Sequence, residues 1–394
     1  MSTFKKWIEF SMLGGRCGLL LLIRPLIYFL FSRGRDLNAY ASIDFSALVF
    51  IAYSFVCFIV AWNTISKSRS PFAKLLMTKT PLIWFIVYTI YGGVSMLWSV
   101  SLTLTAFRAF ECMAMILLMV AIMQTLFTTC QLKKIIDWTI LYVVVDIVFS
   151  LLRTLKWTTS LSWLLQSSQM VSTVFFFMAL YYPRKKWYHY LIMAMSLFSG
   201  STVAYIGMAA GSISIFWKET KHKMFIFLGA LSITMTVVVI GPQKVLKDTI
   251  FYDKESISLE ETSGRDHVME ASIETIKENP LGLGFFAGEP YMLYQRNLHG
   301  ITAHNSFFSA GIGLGYIGMI MIGIFLLSVG LKVFSRKIPK QCRASLIGCF
   351  FVGFLHCMGN PALGSRVYGA WLPVTYLFIL ICSFYVYGRY AKNS

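Results

Sequence analysis

The chain has 394 residues, 57% of them hydrophobic and 13% charged, with a mean hydropathy of +0.67. Soluble domains carry about 25% charged residues, so the composition excludes an ordinary soluble fold, and apolar stretches of about 18 residues or more recur from end to end, as in a polytopic membrane protein. The net charge of +18 sits mostly in short loops with no interleaved aromatic or phosphate-loop motif, which speaks for anionic lipid at a membrane surface and against nucleic acid.

Taken in chain order, hydropathy predicts twelve helices, over 14–32, 43–62, 81–98, 104–127, 136–152, 162–182, 187–200, 201–217, 224–240, 305–331, 343–359 and 368–388. Arg24 and Pro25 lie inside the first apolar run and span after span follows it, unlike a cleaved leader. Only the polar run Ser199-Gly200-Ser201-Thr202 separates the seventh helix from the eighth. With the N-terminus in the cytoplasm, the inner segments hold 22 Lys/Arg and the short outer loops hold five: Arg33, Arg35, Arg153, Lys156 and Arg366. Inner loops attract Lys and Arg, so both termini are expected in the cytoplasm. The eight cysteines lie in or beside expected spans and read as small buried hydrophobes, with no disulfide framework or Cys-x-x-Cys pair.

One segment departs from this pattern. Residues 241–304 form a 64-residue hydrophilic stretch on the outer side that holds 10 of the 17 acidic residues. Loops of this length are usually functional or disordered, and this one reads as ordered. Ser263 can cap a helix, with Asp266 three residues on, and Met269, Ile273 and Ile276 form an apolar stripe as far as Glu278. Asn279-Pro280 ends that helix, and Gly282 and Gly284 allow tight turns. The predicted short amphipathic helix would lie at the membrane mouth. Phe285, Phe286, Tyr291 and Tyr294 follow, either as interfacial anchors or as sugar-stacking platforms. There is no convincing internal repeat and no long central cytoplasmic loop, which counts against a transporter built from two matching halves.

Charge inside a bilayer is costly, so each intramembrane charge needs a reason. Arg108 and Glu111 stand three apart on the fourth predicted helix and can pair on one face. Asp146 lies on the fifth and Arg24 on the first. Two readings stay open for this set: an ion-pair network between helices, or a polar cavity open to the outside. In the outer loop, Arg265 sits at the first turn of the amphipathic helix, where a charged fork and unpaired backbone N–H groups together suit an anion such as a diphosphate. His304 can take a proton from a hydroxyl near physiological pH. The other histidines, 189, 222, 267, 299 and 356, read as ordinary surface residues.

The stretch "HNSFFSAGIGLGYIG" reads His304-Asn305, nine residues, then Gly315-x-x-Gly318. Gly264-Arg265 stands upstream, followed by Asn279-Pro280-Leu281-Gly282-Leu283-Gly284. In these motifs, their order and their spacing, the chain resembles the O-antigen ligase/polymerase superfamily of bacterial membrane glycosyltransferases. "SMLWSVSLTLTAFRAFE" (95–111) is similar to a Trp-Ser…Thr…Arg stretch common in these proteins. The specific motifs fill about 70 residues; the likeness in topology covers most of the chain. One position departs. Many members carry an arginine where this chain has Thr202 after Ser199-Gly200-Ser201, and Arg108, Arg296 or Arg366 would have to supply that charge. Gly311, Gly315 and Gly318 read as small residues that let helices pack closely in lipid, with a part in binding the lipid substrate as the alternative.

The resemblance implies an all-α polytopic membrane protein, GT-C-like, of about 12 transmembrane helices with one large periplasmic loop containing short helices. The expected divisions are 1–240 with the first nine helices, 241–304 as the periplasmic loop, and 305–394 with the last three, all in one membrane domain of the bacterial inner membrane. The implied donor is a glycan on undecaprenyl diphosphate; the acceptor is a sugar hydroxyl on a lipid-linked repeat unit or on lipid A core. His304 would be the general base and Arg265 would meet the diphosphate, with Asn305, Arg108, Glu111, Arg296 and Arg366 as substrate-binding candidates. No cofactor and no metal is expected. The first reading is an O-antigen or exopolysaccharide polymerase, the alternative an O-antigen ligase, and the competing class a non-enzymatic lipid-oligosaccharide flippase.

Overall fold

The computed structural model describes residues 12–31, 45–157, 265–298, 303, 305–359, 362–363 and 371–390. Among the described residues every regular element is helical. In chain order these are α1 (Gly15–Phe31, after a 3-10 turn at Met12–Gly14), α2 (Phe45–Lys67), α3 (Phe72–Lys79), α4 (Leu82–Val94, followed by a 3-10 turn at Ser95–Leu97), α5 (Leu102–Thr129), α6 (Leu132–Trp157), α7 (Arg265–Glu278), α8 (Gly288–Gln295), α9 (Ser306–Val333), α10 (Lys340–Gly359) and α11 (Trp371–Tyr390).

Eight of the twelve expected helices have counterparts close to the expected residues: α1, α2, α4, α5, α6, α9, α10 and α11. The four expected over 162–182, 187–200, 201–217 and 224–240 lie outside the described residues. Among the described residues, five helices are long and apolar enough to cross a membrane, or six if α3 and α4 count as one bent span. That pair bends by 75°, at Thr80-Pro81. Pro81 has no N–H and pushes the residue before it to extended backbone, and Thr80 is extended accordingly (φ −122°, ψ 168°). Its hydroxyl accepts from Leu82 N at 3.2 Å, so the break is bonded. Helix α3 lies between the helices expected over 43–62 and 81–98; its Lys74 and Lys79 mask a short helix with Phe72, Ala73 and Leu76 buried.

Helices α5 and α11 form the centre of the bundle: 83% and 94% of their most apolar windows are buried within the protein. Helix α2 lies along α5, α1 packs on α5 and α6, and α9 touches α4, α10, α11 and α7. In α1 and α2 only about a third of the window is buried. Leu48, Phe55, Ile59 and Trp62 of α2 point outward, as expected of a peripheral helix whose solvent is lipid. At 28 residues, α5 reaches about 42 Å, longer than the roughly 30 Å hydrocarbon core. Seven of the eight free cysteines are buried and Cys130 is half-buried. His356 is also buried, on α10, a correction to its surface reading; its helix lies among apolar neighbours in sequence.

Candidate active site

The segment that follows α7 is a strap of irregular backbone, residues 279–287, wedged between two parts of the bundle. Its polar groups are satisfied on both sides, as buried backbone requires. On one side the Trp98 indole donates to Leu281 O at 3.1 Å, Val100 N to Leu283 O at 3.0 Å, and the Thr105 hydroxyl to Phe285 O at 3.1 Å. In return Phe285 N donates to Ser95 Oγ at 3.0 Å. On the other side Leu283 N donates to Ile312 O at 2.8 Å, Gly284 N to Gly313 O at 2.9 Å, and Tyr316 N to Pro280 O at 3.2 Å.

The last three bonds explain a break in α9. In an unbroken helix Tyr316 N would bond the Ile312 carbonyl. Here Gly315 has φ 64° and ψ −158°, and both groups bond the strap instead. Gly282 and Gly284 also have positive φ, at 81° and 107°. A Cβ on Gly315 would overlap Pro280 O, and one on Gly284 would overlap the Ser99 side chain. The Asn-Pro-Leu-Gly-Leu-Gly run is therefore a backbone joint, with its glycines set by conformation and contact. Gly315 belongs to that joint, which corrects the reading of it as a small residue for helix packing. Gly311 is the packing kind, close to Ile276 of α7, whereas Gly318 meets Leu314 and Ala310 of its own helix across the break.

Arg265 opens α7 at the expected place. The phase of the helix differs from the expected stripe. Its buried face is Val268, Ala271, Ser272, Thr275 and Ile276, whereas Met269 and Ile273 are 45% and 37% exposed. Two hydroxyl residues on the buried face hid it from a hydropathy reading; Ser272 bonds back to Val268 O at 2.5 Å. Phe285 and Phe286 are buried in the bundle, so neither is an interfacial anchor nor a stacking platform. Tyr291 and Tyr294, on α8, are exposed.

A second, smaller core joins this region to α9: Val268, Ala271, Ile276, Met292, Leu293, Ala303 and Ile312. Val268 lies one turn after Arg265, and Ala303 immediately precedes His304, so the neighbours of both residues are buried together. His304 itself, Arg366 and Thr202 lie outside the described residues. Asn305 is the N-cap of α9. Its Oδ1 accepts from Phe307 N at 2.7 Å and its Nδ2 donates to Met358 O at 3.1 Å. Ser306 adds a second tie to the far side, accepting from Leu363 N at 3.1 Å.

Glu289, in the first turn of α8, was not singled out in the sequence. Its side chain is 3% exposed. One carboxylate oxygen accepts from Ala303 N at 3.0 Å and the other from the Ser309 hydroxyl. It thus fixes both the residue before His304 and the first turn of α9. The available signal was a lone acidic residue in an apolar stretch, "GFFAGEPYML".

Arg296 binds Glu274 at 3.0 Å and Glu278 at 3.4 Å, clipping the end of α8 to α7. Within the bundle, Glu111 lies between two arginines: Arg24 Nη2 at 3.0 Å and Arg108 Nη1 at 2.6 Å. The i,i+3 pair is the expected one, and Arg24 turns it into a link between α1 and α5. Arg24 also donates to Met115 Sδ at 3.4 Å and lies over the Tyr53 ring. The three charged side chains form ion pairs within α5 and between α1 and α5, with Glu111 almost fully buried and Arg108 18% exposed. Asp146 is half-buried on α6.

Residues 148–323 match the family model for O-antigen ligase. The described part of that range holds the end of α6 from Val148, α7, the strap, α8 and α9 as far as Gly323. No curated protein matches the chain.

Proposed function

We propose that this chain, a member of the O-antigen ligase/polymerase superfamily, is a glycosyltransferase that takes a glycan from undecaprenyl diphosphate at the periplasmic face of the bacterial inner membrane. The observation that carries this reading is the small core in which Val268 and Ala303 are buried together. Through it, one fold element holds the segments that bear Arg265 and His304, 39 positions apart in the chain.

In this mechanism the acceptor hydroxyl attacks the anomeric carbon of the donor. The bond from that carbon to the diphosphate oxygen breaks, and its electron pair leaves with the lipid diphosphate. The hydroxyl proton passes to His304 as general base. Arg265 and the first N–H groups of α7 meet the charge that grows on the leaving group. Asn305 and Glu289 act by holding the chain on either side of His304 in place. We assign Glu111 and Arg296 to holding helices together, since each is engaged in ion pairs within the fold. Arg108 and Arg366 are left as the candidates to supply the charge missing at Thr202.

The order of alternatives within the family is polymerase, then ligase. It rests on the stretch from Trp98 to Glu111, which resembles exopolysaccharide polymerases, and on the modest outer loop. A flippase needs no ordered loop with a base and an arginine, and ranks behind both. The test is release of lipid diphosphate by the purified protein supplied with lipid-linked glycan and acceptor. Arg265→Ala and His304→Ala are each expected to abolish release while the protein still inserts. Wild-type release in both variants would overturn the mechanism, and no release by the wild type with any acceptor would favour the flippase. Deletion of the gene separates the two enzymes: losing a polymerase leaves single-unit caps on the lipid A core, and losing a ligase leaves bare core.

A further inference from the structure

Five basic residues fall where α9 ends and α10 begins, Lys332, Arg336, Lys337, Lys340 and Arg343, and the side chains of two of them meet on one ring. The Lys332 ammonium lies 4.9 Å from the centroid of the Tyr385 ring on α11. Lys337 reaches the same ring from the connecting turn, at 5.6 Å, and its Nζ donates to the Tyr385 hydroxyl at 3.5 Å. The turn is built to hold this shape. Arg343 Nη2 donates to Arg336 O at 2.9 Å and Ile338 O at 3.0 Å. Gly388 of α11 lies so close to Lys337 O that a Cβ would overlap it.

Two ammonium groups drawn to one ring repel each other, and the ring offsets only part of that. The helix C-terminus favours Lys332, but Lys337 lies beyond it. Among the described residues the ion pairs join Arg24, Arg108 and Arg296 to glutamates elsewhere in the protein, and no ion pair supplies this cluster with an anion. Beside it, Leu327 and Leu331 of α9 and Phe334, its C-cap, follow one another at i, i+4 and i+7 and are all exposed, the two leucines by 67%. A cationic turn at the end of an apolar stripe matches one kind of molecule, with a negatively charged head and an acyl tail.

We propose that the α9–α10 turn is a binding site for an anionic phospholipid, of the leaflet that the Lys/Arg distribution assigns to the cytoplasm. Its phosphodiester lies between Lys332 and Lys337 with Arg336 at the side, and an acyl chain runs along Leu327, Leu331 and Phe334. The site is separate from the glycan chemistry and stands whether or not that reading holds.

The test uses the full-length protein, purified and reconstituted in nanodiscs of phosphatidylcholine with or without phosphatidylglycerol. Native mass spectrometry after mild detergent release counts the phosphatidylglycerol retained, and thermal unfolding reads the stabilisation it confers. Retention is expected to fall about fivefold for each lysine removed in Lys332→Gln and Lys337→Gln, the fold-change that matches about 1 kcal/mol per basic group at an anionic surface. A control with the same loss of charge, Lys67→Gln with Lys134→Gln, is expected to retain as much as the wild type. Should the double lysine variant not fold, Lys337→Gln alone, at an exposed position, carries the test. Equal retention in Lys337→Gln and the wild type overturns the proposal. Equal stabilisation by inorganic phosphate at matched ionic strength also overturns it, since the site would then bind a free anion.

Discussion

Glu289 carries no motif, yet it holds the chain on both sides of the His-Asn motif. Its carboxylate is buried and holds Ala303 N and the Ser309 hydroxyl, so removing it leaves a buried backbone N–H without its acceptor, at a cost of about 1–3 kcal/mol. Glu289→Gln keeps an oxygen for Ala303 N and an amide for the Ser309 oxygen, and should hold the segment nearly as well. The expected outcome in the release assay is a drop in kcat of at least roughly tenfold for Glu289→Ala, the rate equivalent of about 1.4 kcal/mol, with substantial recovery in Glu289→Gln and an unchanged KM for donor. A Glu289→Ala protein that unfolds like the wild type and turns over at the wild-type rate would remove Glu289 from the mechanism. At this scale the sequence was legible where chemistry follows from residue type and spacing, as with the Arg108–Glu111 pair. It was not legible where a side chain's partners are distant: nothing local tells that Thr105 bonds Phe285, 180 positions away, or that Asn305 caps α9 and also reaches Met358.

The spans could be read because a run of apolar residues is both the signal and the cause of a membrane helix. Helix α7 was legible in extent and not in phase, because Ser272 and Thr275 are buried while Met269 and Ile273 are exposed. The strap was legible only as turn-forming glycines, since its structure is a set of bonds to two other elements. Gly315 and Gly311 separate the two uses of glycine in α9. In Gly315→Ala the backbone must keep a positive φ, worth about 1–3 kcal/mol of strain, and the new Cβ meets Pro280 O, a backbone atom that cannot swing aside. In Gly311→Ala the Cβ meets the ends of Ile276 and Met319 at 2.5 and 2.8 Å, and flexible side-chain ends can shift. Thermal unfolding in detergent is expected to show a clearly larger loss for Gly315→Ala, together with faster proteolysis in the 279–287 strap. Equal losses in the two variants would return Gly315 to the class of packing residues.

Across the whole molecule, α5 ties the 279–287 strap to the interior of the bundle. Thr105 holds the strap, and Glu111, about 9 Å further along the helix, holds Arg24 of α1 and Arg108 of its own helix. A charged group so deep in a helical bundle has either a structural or a transport and substrate role, and the two differ in what its loss does. If Glu111 is the counter-charge that lets two guanidinium groups be buried, Glu111→Gln leaves both without this carboxylate. Removing one partner of a buried pair costs about 3–5 kcal/mol, a large share of a stability of about 5–15 kcal/mol. Glu111→Gln should then lower both the yield of folded protein and its unfolding temperature. The fraction that does fold should keep the wild-type KM for lipid-linked donor, because the strap and the α7–α9 core do not pass through Glu111. Loss of donor affinity at full stability would instead make the triad part of a glycan path. Arg108→Gln sharpens the distinction: Arg108 is the more exposed arginine of the two, and Glu111 keeps Arg24 when it is gone. A raised KM with little change in unfolding temperature for Arg108→Gln, beside a destabilised Glu111→Gln with normal KM, would assign the anchor to Glu111 and the missing Thr202 charge to Arg108. Normal KM in both would move that charge to Arg366.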